Sequence, residues 1–233
     1  MPIESLSQNG FYIEESVFDS DVISTVIGQL ESGLSKSSAA ITGRSGNIAA
    51  ARNILTELPD ANKLWQHSRL VELLETVLGK DFVCVRALYF DKHPENTWSL
   101  PWHKDMTIAV KDNSISSPDF SKPTIKSGVP HLEASTTILN NMLTLRIHLD
   151  KVTQDNGPLE VIPGSHATGK QAEASGDSEF VFASAGDVLA MRPLISHKSG
   201  SSKPGTKMHR RILHFEFSGD PVLPDGLQWY YAG

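Results

Sequence analysis

The sequence has little cysteine, no excess of positive charge and no long apolar run. A single cysteine, Cys84, among 233 residues excludes an internal disulfide and a zinc site made of several thiolates. The 21 Lys and Arg against 27 Asp and Glu give a formal net charge of −6, so the chain as a whole has no electrostatic attraction for nucleic acid or anionic lipid. No apolar segment approaches the roughly 20 residues of a membrane-spanning helix.

These absences favour a cytoplasmic protein that binds neither nucleic acid nor membrane. The first residues are acidic where a signal peptide needs a basic stretch followed by an apolar one. With so little cysteine, any metal is expected to be held by histidine and carboxylate side chains. The length suits a single domain over residues 1–233, which we expect to act on a small molecule as a monomer or weak homo-oligomer.

Two helical stripes mark the first part of the chain. Residues 18–34 place apolar side chains on one helical face, with Asp19 or Ser20 as the predicted N-cap. The members of this stripe are Val22, Ile23, Val26, Ile27 and Leu30. A second stripe follows and stops at Gly79. Between the two, residues 35–52 are rich in Ser, Ala and Gly and are expected to form a loop.

From residue 82 the hydrophobic pattern changes to a period of two, which is typical of strands. Short strand-like segments then follow one another at the spacing of an all-β sandwich or barrel. They span residues 82–90, 142–149, 158–162, 179–183, 187–192 and 210–218. Residues 111–135 are rich in Ser, Pro and Gly and are expected to form a long loop that covers a site. The chain thus divides into a helical flank, about residues 1–80, and a β core, about residues 82–218.

Two of these strands have one apolar and one polar face. The polar face of the first holds Thr144, Arg146, His148 and Asp150, opposite Leu143, Leu145, Ile147 and Leu149. The polar face of the second holds Arg210, His214 and Glu216, opposite Leu213, Phe215 and Phe217. Such a face is either wetted by solvent, as in many antiparallel sheets, or lines a barrel that holds a charged ligand. The alternation by itself leaves both interpretations open.

Histidine is abundant, with nine residues, most of them in the β core. A mononuclear iron site of the facial-triad type needs two histidines and one carboxylate. A His-x-Asp or His-x-Glu pair on a strand places two of these ligands on one face. Such pairs begin at His103, His131, His148 and His214. Because this composition yields about one match by chance, the spacing cannot choose among the four.

Longer motifs are more specific. Trp-His-x-Asp at residues 102–105, DNGPLEVIPGSH at 155–166, GDVLAMRPLISH at 186–197 and RRILHFEF at 210–217 follow one another along the chain. In this order they resemble the phytanoyl-CoA dioxygenase family of Fe(II)- and 2-oxoglutarate-dependent oxygenases, over about residues 82–218. The resemblance implies a mostly β fold, a double-stranded β-helix of the cupin-like jelly-roll type with flanking N-terminal α-helices.

The resemblance also implies roles for individual residues. His103, Asp105 and His197 match the iron ligands of the family, which sets the other three pairs aside. Arg210 matches the basic residue that pairs with the distal carboxylate of 2-oxoglutarate, a contact that suits the planar guanidinium group. Its neighbour Arg211 is the rival, but the alternation places Arg211 on the apolar face of its strand. The implied cofactors are Fe(II), 2-oxoglutarate as cosubstrate, and O2.

Other polar side chains are candidates for the remaining contacts. Those for the cosubstrate are Lys92 and Thr144, and those for the substrate are Trp102, Arg146, His148 and His131. Arg146 is the most informative, because an arginine on an interior face needs an anionic or carbonyl-rich partner. We expect Trp98 and Lys126 at the entrance. The lack of an evident basic cluster for a nucleotide favours a small or medium-sized polar metabolite over a fatty acyl-CoA.

The expected activity is therefore hydroxylation by a 2-oxoglutarate-dependent non-haem iron dioxygenase, and two other classes of function stay open. A catalytically silent jelly-roll protein would keep the fold but has no need of an intact set of ligands and Arg210. A cupin-type metal-dependent isomerase or hydrolase would use two histidines and a carboxylate, but it would not need Arg210 either.

Overall fold

The fold consists of three antiparallel β-sheets, with helices packed against the largest of them. The computed structural model describes residues 2–35, 37, 39–43, 46–171 and 176–232. The α-helices are α1 (Pro2–Gln8), α2 (Ser20–Leu34), α3 (Ile54–Glu57), α4 (Asn62–Trp65), α5 (Ser68–Leu78) and α6 (Thr136–Asn140). Among the described residues, none of the helices is long and apolar enough to cross a membrane.

The strands are short and numerous, as the sequence predicts. They are β1 (Phe11–Glu14), β2 (Ala40–Thr42), β3 (Ile48–Ala51), β4 (Val83–Asp91), β5 (Leu100–His103), β6 (Thr107–Ala109), β7 (Phe120–Lys126), β8 (Val129–Ala134), β9 (Met142–His148), β10 (Leu159–Val161), β11 (Glu179–Val181), β12 (Val188–Met191), β13 (His197–Ser199) and β14 (Arg211–Ser218). The main sheet has the order β1-β12-β9-β14-β4-β3-β2, the minor sheet β11-β10-β13-β5, and a third sheet β6-β8-β7. The predicted double-stranded β-helix is confirmed.

The main core lies between the helices and one face of the main sheet. The apolar faces of β9 and β14, with Leu145 and Phe215 at their centres, pack against α2 and α5, which contribute Leu30 and Leu74. All four of these side chains are almost completely buried. Burial of apolar area of this kind, worth roughly 25 cal/mol per Å², orients the sheet so that its other face looks away from the helices.

Helix α2 begins and packs much as its sequence predicts. Asp19 is the N-cap, and its carboxylate accepts hydrogen bonds from the backbone N–H groups of Asp21 and Val22. The buried stripe consists of Ile23, Val26, Leu30 and Leu34. The inclusion of Val22 in this stripe was wrong, since its side chain is exposed.

Two segments that the sequence predicts as loops are strand hairpins. Within residues 35–52, β2 pairs with β3, and β3 continues the main sheet beside β4. Within residues 111–135, β7 pairs with β8. The reason is that both hairpins include edge strands whose side chains are small or solvent-exposed, so neither edge strand has the apolar alternation by which strands are recognised. The N-terminal flank is therefore not purely helical.

The inner face of the main sheet is the polar one, and it is buried. Arg146, His148 and His214 are at most 7% exposed, and they face the minor sheet rather than the helices. The interpretation as a solvent-wetted face is wrong, and the interpretation as a polar barrel interior is confirmed. The helices cover the apolar face of the sheet, and the minor sheet closes over the polar one.

The aromatic cluster at the end of β14 provides a test of the core. Phe217 is fully buried, and its ring lies 5.4 Å from that of Trp65 and 5.9 Å from that of Phe82. We expect Phe217→Ala to lower the free energy of unfolding by about 3–5 kcal/mol, because it leaves a cavity among rings that cannot close it. The matched change Phe180→Ala, at a half-exposed ring of β11, should cost about 0.5 kcal/mol. Urea unfolding of both variants measures the difference, and equal losses would contradict this description of the core.

Candidate active site

Three predicted metal ligands come together where β5 meets β13. His103 is the last residue of β5 and His197 the first of β13, and the two residues are paired in register. The ligand atoms of His103, Asp105 and His197 all lie within 4.8 Å of one another, and His197 Nε2 is 3.6 Å from Asp105 Oδ2. Within the described ranges, no other set of three His, Cys, Asp or Glu side chains converges in this way.

Backbone hydrogen bonds prepare both histidines to bind metal. His103 Nδ1 lies 2.7 Å from the carbonyl oxygen of Pro101, and His197 Nδ1 lies 2.9 Å from that of Ile195. Because a carbonyl oxygen only accepts, each Nδ1 must carry the proton, which leaves the lone pair of Nε2 for a metal. Two imidazole nitrogens and one carboxylate are a donor set that suits iron(II).

Burial and neighbouring charges set protonation states that suit a divalent metal. Burial, the largest single influence, raises the pKa of Asp105, but nearby histidines, His197 first among them, and Arg86 outweigh it and bring the pKa to about 2. Burial lowers the pKa of His197 to about 4, although the Asp105 carboxylate opposes this shift. At neutral pH Asp105 is therefore ionised and His197 neutral, the states in which both groups bind metal.

The three side chains line a cavity of about 110 Å³ between the main and minor sheets. Apolar groups form part of its wall, among them Leu88 and Phe90 of β4 and Trp98. Its cationic part includes two arginines that the sequence predicts there, Arg146 of β9 and Arg210 just before β14. They are 7% and 3% exposed, and the Nε atom of each is buried without a hydrogen-bond partner among the described residues.

These two arginines need an anion that the protein does not supply. Burial first, and then the charge of Arg146, lower the pKa of Arg210 to about 9, so its guanidinium group is still charged at neutral pH. A buried charge without a partner is costly, and arginine is the side chain whose geometry best matches a carboxylate. The cavity thus combines a donor set for iron with a site for a carboxylate, and the residues present fit both Fe(II) and 2-oxoglutarate.

The sequence matches the phytanoyl-CoA dioxygenase (PhyH) family over residues 6–208, which is most of the chain. The chain belongs to this family. The predicted recognition is confirmed, and Fe(II), 2-oxoglutarate and O2 are the cofactors of the family. The match ends just before Arg210, so the position of this arginine rests on the structure. Comparison with curated protein sequences yields no match.

Solved structures with the same fold include a non-heme, alpha-ketoglutarate-dependent enzyme and a protein solved with bound 2-oxoglutarate. EvdMO1 has a TM-score of 0.69 at 20% identity, and the match covers 95% of this chain but only 50% of EvdMO1. EctD from S. alaskensis, solved with 2-oxoglutarate and 5-hydroxyectoine, has a TM-score of 0.68 at 16% identity. The match covers 92% of this chain and 74% of EctD. SnoK, an alpha-ketoglutarate-dependent carbocyclase from nogalamycin biosynthesis, has a TM-score of 0.68 at 14% identity. The match covers 97% of this chain and 94% of SnoK.

Lys92, predicted to contact the cosubstrate, is fully buried but already has partners. Its Nζ donates to Ser199 Oγ at 3.0 Å and to the carbonyl oxygens of Gly157 and Gly200. Gly157 has a φ of +68°, and a Cβ there would collide with the oxygen of Gly200. Lys92 therefore fastens the turns beside β10 and β13 to the end of β4, and a contact with the cosubstrate stays a prediction.

The other predicted site residues lie at different distances from the cavity. Thr144 and His148 are buried on the inner face of β9 but are not among the residues that line it. Trp102 is half-exposed on β5, with the Lys198 ammonium 4.6 Å from its ring. His131 on β8 lines a separate small cavity. Their roles in substrate binding stay predictions.

The acids of the three remaining His-x-acid pairs are engaged elsewhere. Glu133 forms ion pairs with two lysines. Asp150 binds Arg211, which also contacts Glu31 of α2. This confirms that Arg211 points away from the cavity and shows that the placement of Asp150 on the inner face was wrong, since β9 ends at His148. Glu216 accepts from Arg86 and, at 3.0 Å, from His214 Nε2. A carboxylate with these partners is not free to bind a metal, which the two-residue spacing alone could not reveal.

Sequence reasoning missed Arg86, which also lines the cavity. Arg86, Leu88 and Phe90 alternate along β4 with Ala87 and Tyr89, which pack in the main core on the other face. The same pleat argument that was applied to β9 and β14 would have indicated this arginine.

The choice of Asp105 among the four acids can be tested by metal binding. Asp105→Asn removes the one anionic ligand, so we expect the affinity for Co(II), a redox-stable substitute for iron(II), to fall by about 100-fold or more. Asp150→Asn is the matched control, because its carboxylate binds Arg211 instead. Calorimetric titration of both variants with Co(II) measures the difference. A similar loss of affinity in the two would show that Asp105 is not the metal-binding acid.

His148 predicts a pH dependence of stability. Burial, followed by the charges of Arg146 and Arg210, lowers its pKa from 6.5 to about 3. In the unfolded chain the imidazole takes up a proton as the pH falls through 6.5, whereas in the folded protein it does so only near pH 3, so acid favours unfolding between these values. The free energy of unfolding therefore falls as the pH falls through this range. We expect His148→Gln to reduce that fall by up to about 1.4 kcal/mol per pH unit.

The comparison is made by urea unfolding from pH 8 to pH 4.5. At pH 8 neither protein takes up a proton at this position, so any difference there reports packing alone. Parallel pH profiles for the variant and the wild type would show that His148 is not buried in its neutral form.

Proposed function

We propose that this chain is a dioxygenase dependent on Fe(II) and 2-oxoglutarate that hydroxylates a small or medium-sized metabolite. The observation that supports it best is the presence of two buried, unpartnered arginines, Arg146 and Arg210, in the same cavity as a histidine and carboxylate donor set. Membership of the family supports the same cofactors. A cytoplasmic location and a monomeric or weakly oligomeric state stay predictions.

In this proposal His103, Asp105 and His197 hold the iron. When bound, iron and 2-oxoglutarate supply the O2-dependent oxidation of a C–H bond, with succinate and carbon dioxide as co-products. The backbone contacts of the two histidines keep each Nε2 turned into the cavity. The negative charge of Asp105 compensates part of the charge of the metal and leaves the remainder for the keto acid end of 2-oxoglutarate.

Arg210 binds the distal carboxylate of 2-oxoglutarate and thereby orients the cosubstrate. Its backbone is fixed by two hydrogen bonds with Lys92, from Arg210 N to Lys92 O at 3.3 Å and from Lys92 N to Arg210 O at 3.2 Å. The apolar side chains of Leu88 and Phe90 limit access of water to this end of the cavity. A carboxylate that enters this dry, cationic site is bound more strongly than in water.

Hydroxylation is the proposed outcome, and the fold accommodates other oxidations. SnoK, with the same fold, is a carbocyclase. The fate of the substrate depends on how its C–H bonds lie relative to the metal, which involves side chains beyond the triad and Arg210. Mass spectrometry of the product formed under isotopically labelled O2 distinguishes the two, because hydroxylation incorporates the label and ring closure does not.

The proposal is tested by anaerobic addition of Fe(II) and then 2-oxoglutarate, followed by visible absorption. Chelation of iron by the keto acid should give a charge-transfer band, and admission of O2 should give succinate. If iron binds but 2-oxoglutarate produces neither band nor succinate, a cupin-type hydrolase or isomerase replaces the oxygenase. If neither iron nor 2-oxoglutarate binds, the chain is a catalytically silent member of the fold.

A pair of variants tests the assignment of Arg210. Arg210→Leu leaves the distal carboxylate without its partner in a buried site, so the concentration of 2-oxoglutarate at half-saturation of the band should rise about 30–100-fold. Arg211→Leu is the control, because its guanidinium group binds Asp150 and Glu31 on the other side of the sheet. An equal effect of the two changes would contradict the assignment.

A further inference from the structure

A second group of cations lies beside the metal site, at the junction of the main and third sheets. It consists of Arg52, which follows β3, Arg86 on β4 and Lys126 at the end of β7, and we call it the cationic rim. Burial first, and then the charge of Arg86, lowers the pKa of both Arg52 and Lys126, whereas Asp105 acts to raise the pKa of Lys126. The rim therefore lies within reach of the charges of the metal site.

The rim carries more positive charge than the protein neutralises. Two acids, Glu216 and Asp105, oppose this charge. The Glu216 carboxylate already accepts from Arg86 and His214, and Asp105 is one of the candidate metal ligands. Arg52 forms no side-chain hydrogen bond or ion pair with any residue in the described part of the chain. The Lys126 ammonium donates to the neutral hydroxyl of Thr107 at 3.0 Å. Like charges at close range destabilise one another unless an anion lies between them.

The rim is connected to the metal cavity by a shared wall. A small cavity of about 20 Å³ is lined by Arg52, Arg86 and His131, and both Arg86 and Leu88 also line the larger cavity that holds the triad. His131 is 2% exposed, and its Nε2 is buried with no hydrogen-bond partner among the described residues. His131 Nδ1 lies 2.9 Å from the carbonyl oxygen of Val129 and therefore carries the proton, so Nε2 is an unsatisfied acceptor that a hydrogen-bond donor would satisfy.

The cosubstrate does not need these cations. Arg146 and Arg210 line the cavity that contains the triad, whereas Arg52 lines the small cavity. These are two different cavities, which share Arg86 and Leu88 in their walls. A 2-oxoglutarate molecule that chelates the metal and reaches Arg210 satisfies the first pair of arginines and leaves the cationic rim for another ligand.

We infer that the cationic rim binds an anionic group of the substrate, a carboxylate, sulfate or phosphate, and so restricts the substrate to small anionic metabolites. This inference rests on the proposed function, because it places the reacting carbon in the metal cavity and the anionic group across the wall formed by Arg86. Arg52 supplies a planar pair of donors, and Lys126 supplies a point charge. The anion relieves the repulsion among the cations of the rim. An uncharged analogue cannot do so, and it should therefore bind more weakly.

The experiment uses the protein with Fe(II) and 2-oxoglutarate bound under anaerobic conditions, so that the first anion site is already filled. Acetate, sulfate and inorganic phosphate are titrated by calorimetry at low ionic strength, with acetamide as the uncharged probe. We expect at least one of the anions to bind and acetamide not to bind. Arg52→Gln and Lys126→Gln should each weaken anion binding about tenfold, the loss of one charge-assisted hydrogen bond.

Lys122→Gln is the matched control, since Lys122 lies on the same strand as Lys126 but pairs with Glu133. It should change anion affinity less than twofold, and Arg52→Lys should restore most of what Arg52→Gln loses. The charge-transfer band should form in every variant, because none of them touches the cosubstrate. Loss of the band in the wild type would refute the proposed function, whereas a normal band without anion binding, or equal effects of Lys122→Gln and Lys126→Gln, would refute the role of the rim alone.

Discussion

Strand β14 pairs with β9 on one side and β4 on the other, and the register of these pairs determines both faces of the main sheet. Phe215 lies opposite Leu145 on the helix side, while His214 lies opposite Arg146 on the inner side. Because side chains alternate with a period of two, a slip of one residue would send the arginine into the apolar core. The same contact therefore holds the helices in place and keeps the cationic side chains inside the barrel.

The electrostatic character of the interior is opposite to that of the whole chain. The net charge is −6, yet the cavity wall and its surroundings carry Arg146, Arg210, Arg86 and Arg52. Of the acids near the cavity, Asp105 is a predicted metal ligand and Glu216 binds Arg86. Buried positive charge that the protein does not neutralise makes the interior a receptor for anions. The net charge therefore predicts nothing about the ligand, because most acids lie on the surface.

The strands and helices with a buried apolar face could be predicted from the sequence, and those without one could not. β9, β14 and α2 each bury one apolar face, and their patterns reveal it. The hairpins β2–β3 and β7–β8 have few apolar side chains to bury, and β7 is held mainly by backbone pairing with β8. Backbone pairing depends on which strand lies alongside, and the hydrophobic pattern of a single segment does not show which strand that is.

The sequence by itself determined which faces are apolar, which residue types were available for a metal, and, through the order of its motifs, the family. It could not choose among four His-x-acid pairs by spacing, because the choice depends on which acid is left free and which pair meets His197. The resemblance to the family indicates His103 and Asp105, and the tertiary structure adds the reason, since the other three acids have partners elsewhere. Only the tertiary structure brought Arg52, Arg86 and Lys126 together from three separate strands or strand ends. The physical reason is the same in both cases, since a binding site is formed by side chains from distant segments, and their approach is set by the pairing of strands and the closure of the sheets.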